Sequence, residues 1–368
     1  MKKMNVKFLD LPKQNKLFKK EFMEEVSSIV DSGSYAAGDR VKKFEEDFSE
    51  YCDVKYCVAT SSGTAALHAA LACFKVEGDV VTPPNSFIAT SEAVSYMPKL
   101  RHKFIDVDKT GGMDAAKAET AIEDGKTKIV MPVSLYGNPC NLVEYARLCQ
   151  LSGKFLVHDA AQAHGAEILD TPISWFSLIT CFSFYPGKNL GTCGEGGAAV
   201  TNSKVAFEYM KAFINHGQSE KYKHEIVGNN YRMSEIEAAA LNIKLKYINE
   251  WTDKRIRAAK RYTKNLSGHK KIQLLKINPD NKCVYHLFPV FISHRDKVAK
   301  KMLDKGVQTG IHYPIPIHLQ KAYKNLNHKK GDFPESERQA RREISLPIYP
   351  EITNNQIDYV SECLINSL

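Results

Sequence analysis

Between Val157 and Gly197 the chain carries four kinds of group that belong to one chemistry. Asp159 stands in VHDAAQAHGA, two residues past the end of the apolar run Phe155-Leu156-Val157. Ser183 and Lys188 lie at and just beyond a second apolar run, 178–184, in CFSFYPGKNLG, and the glycine-rich turn Gly194-Glu195-Gly196-Gly197 follows. A carboxylate, an amine, a hydroxyl and a turn rich in backbone donors are what pyridoxal 5′-phosphate requires. The carboxylate holds the ring nitrogen protonated, the amine captures the aldehyde, and the remaining donors hold the phosphate. A lone Asp at a strand end usually caps a helix, and a lone Lys is usually a solvated charge. All four groups within about forty residues are what point to a cofactor site.

Two further segments fit the same site. Ser61-Ser62-Gly63-Thr64-Ala65-Ala66-Leu67 follows a strand and opens a helix, so its backbone N–H groups, with the hydroxyl of Ser62 or Thr64, offer an anion site aided by the helix dipole. Pro84-Asn85-Ser86-Phe87 closes the next strand. Phe87 is there either a core aromatic or a ring that stacks on a flat ligand above the sheet edge.

Short apolar runs and helical patterns must position these residues. The runs fall at 56–59, 80–82, 104–107, 129–133, 155–157, 179–184 and 198–201, and the helical patterns at 17–30, 64–74, 88–96, 114–123, 142–151 and 204–214. The alternation predicts an α/β fold with a large, mainly parallel sheet covered by helices on both faces and function at the carboxyl ends of its strands. Beyond residue 233 the pattern changes to two long helices (234–251 and 252–266), strands at 283–292 and 309–313, and helices at 297–305 and from 354. This predicts a large domain over 1–250 and a smaller C-terminal α+β domain over 251–368.

Composition narrows the classes. With 368 residues, 43% hydrophobic and 25% charged, the chain can bury a sizeable core. No apolar run approaches the roughly 18 residues of a membrane span, and MKKMNVKFLD lacks the apolar segment of a signal peptide, so a cytoplasmic protein is expected. The formal charge of +9 is spread along the chain with acids interleaved and no nucleic-acid module accompanies it, so no nucleic-acid partner is expected; a mild positive field suits an anionic substrate instead. The nine cysteines show no metal spacing. They read as reduced, mostly buried residues, and Cys193, the one near the proposed chemistry, as a packing residue.

Motifs along nearly the whole length give a resemblance. They are GSYAAG at 33–38, SSGTAAL, PPNSFIAT, SLYGN at 134–138, HDAAQAHGA, FSFYPGKNLG, GEGGA, NHG at 215–217, GNNYRMSEIEAA from Gly228, HYPIPIHLQKAY from His312 and LPIYP from Leu346. In these the chain resembles the DegT/DnrJ/EryC1/StrS sugar aminotransferases, fold-type I pyridoxal phosphate enzymes acting on nucleotide-linked keto-sugars. The resemblance implies that Lys188 binds the cofactor and then shuttles a proton, and that Asp159 pairs with the ring nitrogen. It places Gln162 near the phenolic oxygen, Ser62, Gly63, Thr64 and Ser183 at the phosphate, and Phe87 on the ring face. Asn230 is implied to reach the phosphate of a neighbouring subunit, making a homodimer with shared sites. His312, Tyr313 and His318 are implied to lie near the sugar.

Lys188 stands where relatives that dehydrate their substrate carry His, which favours amino transfer. The resemblance implies L-glutamate as donor, pyridoxamine 5′-phosphate as the intermediate cofactor form and a nucleoside-diphosphate keto-sugar as acceptor. The FYPGKNLG wording resembles members that aminate C-3, which implies a 3-keto-6-deoxyhexose; the alternatives are a 3-keto uronic acid, C-4 amination of a 4-keto-6-deoxyhexose, and a catalytically idle cofactor-binding regulatory relative.

Overall fold

The computed structural model describes residues 3–368. Seven strands form the main sheet: β1 Tyr56–Thr60, β2 Gly78–Thr82, β3 Leu100–Phe104, β4 Thr127–Val130, β5 Phe155–Asp159, β6 Ile179–Ser183 and β7 Gly197–Thr201. Their spatial order is β1-β7-β6-β5-β4-β2-β3. Only β7 runs against the others, paired antiparallel to both β1 and β6, so the sheet is mixed but mainly parallel.

Successive residues of the strands enter opposite cores, as the period of two requires. Ala59, Val81, Val130, Leu156, Phe182 and Ala198 pack on one face with helices Asp39–Tyr51 and Leu142–Ser152. Val58, Val80, Ile129, Val157, Cys181 and Ala199 pack on the other with helices Gly63–Ala72 and Lys204–Phe213. Both faces are therefore dry, which explains why the strands read as continuous apolar runs.

A third core gathers Ala258, Ala259 and Tyr262 of helix Ile248–Leu266, Phe288 and Val290 of strand Phe288–Phe291, Ile344 and Leu346 of strand Glu343–Leu346, and Val360 and Leu364 of helix Asn354–Ile365. Val6, from the other end of the chain, completes it: its amide donates to the Gly306 carbonyl and its carbonyl accepts from Gln308. The N-terminal segment thus straps the C-terminal layer.

Three elements differ from the sequence reading. The run at 104–107 is not a strand; β3 is the charged stretch LRHKF at the sheet edge. Asp106 lies past its end, buried, where its carboxylate accepts the amides of Glu335 and Ser336 and so caps helix Pro334–Arg342. At 309–313 only Gly310 pairs, with Ser345, because the two prolines at 314 and 316 end any ladder. The helical stretch from 234 breaks after Leu245, so the second long helix starts at Ile248. All nine cysteines are free and seven are buried, but Cys193 is exposed, which removes its expected packing role.

Candidate active site

A cavity of about 740 Å³ opens at the carboxyl ends of β5 and β6. Ser62, Gly63, Thr64, Phe87, Asp159, Gln162, Ser183, Lys188, His312 and Tyr313 all line it. Strand register explains why. Phe182 and Phe184 turn into the first core, each edge-on to Phe48 with centroids 5.2 Å apart, which commits Ser183 between them to the opposite face. Asp159 likewise continues the face of Val157 and pairs in register with Cys181.

The Asp159 carboxylate is buried and no lysine, arginine or histidine pairs with it among the described residues. Thr90 Oγ1 donates to its Oδ2 at 2.8 Å and the Ala161 amide to its Oδ1 at 3.1 Å. Burial raises its pKa, and Thr90, the Ala161 amide and the Lys188 charge oppose that rise. Burial brings the Lys188 amine from 10.5 down to about 8, against the pull of Asp159. A buried carboxylate with an unpaired lone pair facing a cavity calls for a cationic donor there, and an amine of lowered pKa is readily neutral and nucleophilic.

At the other end, Ser62 Oγ accepts from the Ala65 amide and caps helix Gly63–Ala72. The Gly63 and Thr64 amides have no protein acceptor among the described residues, leaving them to an anion at the helix start. Gly63 is required there. A Cβ on it would lie 2.6 Å from the Ser183 Cβ, and one on Gly197 would lie 2.4 Å from the Ser62 carbonyl carbon. Backbone donors and the Ser183 hydroxyl thus converge because two glycines let three chain segments touch.

Above the plane, Phe87 is 54% exposed and tilts against Tyr313 with centroids 5.5 Å apart, so it is a cavity ring rather than a core residue. Gln162 is clamped at both ends: its Oε1 accepts from the Tyr136 amide at 2.7 Å and its Nε2 donates to the Tyr313 hydroxyl at 3.2 Å. A counter-ion, an amine, an anion cradle and an aromatic lid fit the ring nitrogen, aldehyde, phosphate and ring face of pyridoxal phosphate. When bound, that group supplies an electron sink for a carbanion next to nitrogen.

Two expected residues are not on this cavity. His318 is buried at 3.3 Å from Glu337 Oε1 and edge-on to Phe333, so it secures the 317–333 segment. Asn230 is exposed, and its Oδ1 accepts from Arg232 Nε and Nη2 at 3.2 and 3.1 Å. Other residues on the wall were not singled out from the sequence: Phe8 from the N-terminal strap, Arg255 and His286. Thr90 and Tyr136 lie inside the motifs PPNSFIAT and SLYGN, which was the available signal.

Residues 16–365 match the DegT/DnrJ/EryC1/StrS aminotransferase family. The dTDP-3-amino-3,4,6-trideoxy-alpha-D-glucose transaminase of Streptomyces venezuelae is 36% identical over 363 residues, covering 97% of this chain and 96% of the relative. The erythromycin biosynthesis sensory transduction protein EryC1 of Saccharopolyspora erythraea is also 36% identical, over 359 residues, 97% of this chain and 98% of the relative. The crystal structure of S. venezuelae DesV in complex with a ketimine intermediate superposes with a TM-score of 0.95 at 34% identity, covering 98% of both chains. With the cavity built from the motifs that carry this likeness, the chain belongs to the DegT/DnrJ/EryC1/StrS aminotransferase family, whose members depend on pyridoxal phosphate.

Proposed function

We propose that this protein transfers the amino group of L-glutamate to C-3 of a nucleoside-diphosphate-linked 3-keto-6-deoxyhexose, in the biosynthesis of an amino sugar for a cell-surface polysaccharide or a glycosylated product. The observation that carries the reading is Lys188 facing Asp159 across one cavity, with its amine brought down to about 8. In that state it can take a proton from a donor carbon and return it on the same face. Burial raises the Asp159 pKa, and Thr90 and the Ala161 amide oppose that rise, as the site of a counter-ion requires. The relative that forms a 3-amino sugar nucleotide supports C-3 over C-4.

Two copies complete the site in this reading. Asn230 is exposed and lies off its own chain's cavity; Arg232 engages its carbonyl oxygen, which leaves its side-chain amide available to a second copy. The reaction is set in the cytoplasm; no helix among the described residues is long and apolar enough to cross a membrane.

The test is a purified yellow protein given glutamate, then a panel of 3-keto and 4-keto nucleotide sugars. Loss of the yellow absorbance with glutamate, its recovery with a 3-keto sugar and a 3-amino product by NMR are expected. Recovery only with 4-keto sugars moves the reaction to C-4. A protein that holds the cofactor but does not respond to glutamate is a binding protein, the class suggested by the sensory name of the second relative.

A further inference from the structure

Strand Glu343–Leu346 lies behind the cavity wall formed by His312, and its period of two puts Glu343 and Ser345 on one face. Both are fully buried, and both meet His312. Gly310 pairs with Ser345 through two backbone hydrogen bonds of 3.1 and 2.9 Å, which lays the 310–313 segment alongside the strand. The His312 amide then donates to Glu343 Oε2 at 2.7 Å, the His312 Nδ1 lies 2.9 Å from Ser345 Oγ, and that hydroxyl meets Glu343 Oε1 in a short contact. Phe8 stacks on the imidazole at 5.7 Å, and Gly310 leaves the room it needs, since a Cβ there would lie 2.6 Å from His312 Cε1. The ring is therefore fixed, with Nδ1 turned to the protein and Nε2 left to offer to the cavity.

We propose that Glu343, acting through Ser345, sets the tautomer of His312, so that Nδ1 carries the proton and Nε2 faces the substrate as a bare acceptor. An ionised carboxylate can only accept, so the Ser345 hydroxyl must donate to Glu343. The Ser345 lone pair then accepts from Nδ1–H, which leaves Nε2 unprotonated. Burial and the Lys188 charge hold His312 down to about 4, so the ring stays neutral while this relay operates. A bare Nε2 accepts from a hydroxyl and repels a carbonyl oxygen. It thereby favours a sugar that presents O–H at this position over one that presents its ketone there.

The relay reverses on protonation. Burial raises Glu343 to about 7, opposed by Ser345, the His312 amide and Arg295, whose Nη1 donates to the Glu343 carbonyl. Tyr136 and Tyr313 also face it, held neutral by burial. Once protonated, Glu343 donates to Ser345, whose hydroxyl turns to Nδ1, and Nε2 becomes the protonated nitrogen. Glu343 and Ser345 are positioning residues in this scheme and need not touch substrate.

What Nε2 meets rests on the keto-sugar reading; the tautomer does not. The experiment is ¹⁵N NMR of the holoenzyme labelled at histidine, with His312 assigned from a His312→Gln variant. The expected result is Nδ1–H at pH 8 and conversion to Nε2–H as pH falls through about 7. In Glu343→Gln, Oε1 keeps the His312 amide while the NH₂ donates to Ser345, so Nε2–H is expected at both pH values and kcat/KM for the keto-sugar should fall about tenfold or more. Nε2–H in the native protein at pH 8 overturns the proposal, and so does Nδ1–H throughout. Should Glu343→Gln fail to fold, Ser345→Ala serves instead: loss of the pH-dependent conversion supports the relay, and its persistence overturns it.

Discussion

Thr90 Oγ1 donates to Asp159 Oδ2 at 2.8 Å, joining the helix after β2 to the end of β5, 69 residues away. Thr90 is itself 2.7 Å from the Ser86 hydroxyl, so Asp159 ends a chain of buried hydroxyls, with no basic partner among the described residues. This geometry opposes the upward pull of burial on the carboxyl. Without the Thr90 and Ala161 donors, only Lys188 would oppose desolvation, and the Asp159 pKa would rise further.

Asp159→Asn should therefore still bind cofactor while turnover falls roughly a hundredfold or more, equal to about 3 kcal/mol in the barrier. Thr90→Val should act in the same direction but less, since a hydrogen bond to a charged group is worth about 1.5–3 kcal/mol. It should also shift the acid limb of kcat to higher pH, because the donor that lowers the Asp159 pKa is gone. Near-native rates in Asp159→Asn would detach the electron-sink role from this carboxylate.

Lys188 should titrate apart from the surface lysines. In the cofactor-free protein its labelling by an amine reagent should rise with pH with a midpoint near 8, as the lowered pKa requires, while exposed lysines go on rising toward a midpoint near 10.5. The folded value lies below the unfolded one. The folded state thus holds fewer protons between about 8 and 10.5, and this group's contribution to stability increases with pH across that window. Asp159→Asn should move the labelling midpoint lower still, because Asp159 opposes the shift. Peptide mass spectrometry reads both; a Lys188 profile matching surface lysines contradicts the burial argument.

Gly63→Ala probes the anion cradle. Its Cβ would meet the Ser183 Cβ at 2.6 Å and the Ser183 Cα at 3.1 Å, atoms without a flexible end to move aside. The helix start must shift away from β6, so cofactor affinity should fall about tenfold or more in a protein that remains folded, read by equilibrium dialysis beside circular dichroism. Unchanged affinity would mean that phosphate is held elsewhere.

Strand ends made much of this cavity legible in sequence. Asp159, Ser183 and Gly63 each lie at or just past the end of an apolar run, and a mainly parallel sheet buried on both faces presents them at its carboxyl edge. What stayed hidden depends on contacts that spacing does not encode. Thr90 is one of several hydroxyls in IATSEAVS, and no local pattern marks the one that reaches Asp159. Phe8 arrives because Val6 docks on the third core, and Glu343 because Gly310 pairs with Ser345. His318 shares a motif with His312, yet the chain between them turns it into the packing around Phe333.

The shared site has a test by complementation. Lys188→Ala should abolish turnover in a folded protein, because its amine lies past the end of β6 in a loop and not in a core. If Asn230 completes the partner's site, Asn230→Ala should also be defective, although Asn230 does not line its own chain's cavity. A mixed dimer of the two variants then holds one site with both residues lost and one with both intact. Differently tagged chains, co-expressed and isolated as the heterodimer, should recover up to about half the native activity per dimer by counting of the two symmetry-related sites. With Asn230→Ala shown to be defective alone, a heterodimer no better than either parent would place Asn230 in its own chain's site.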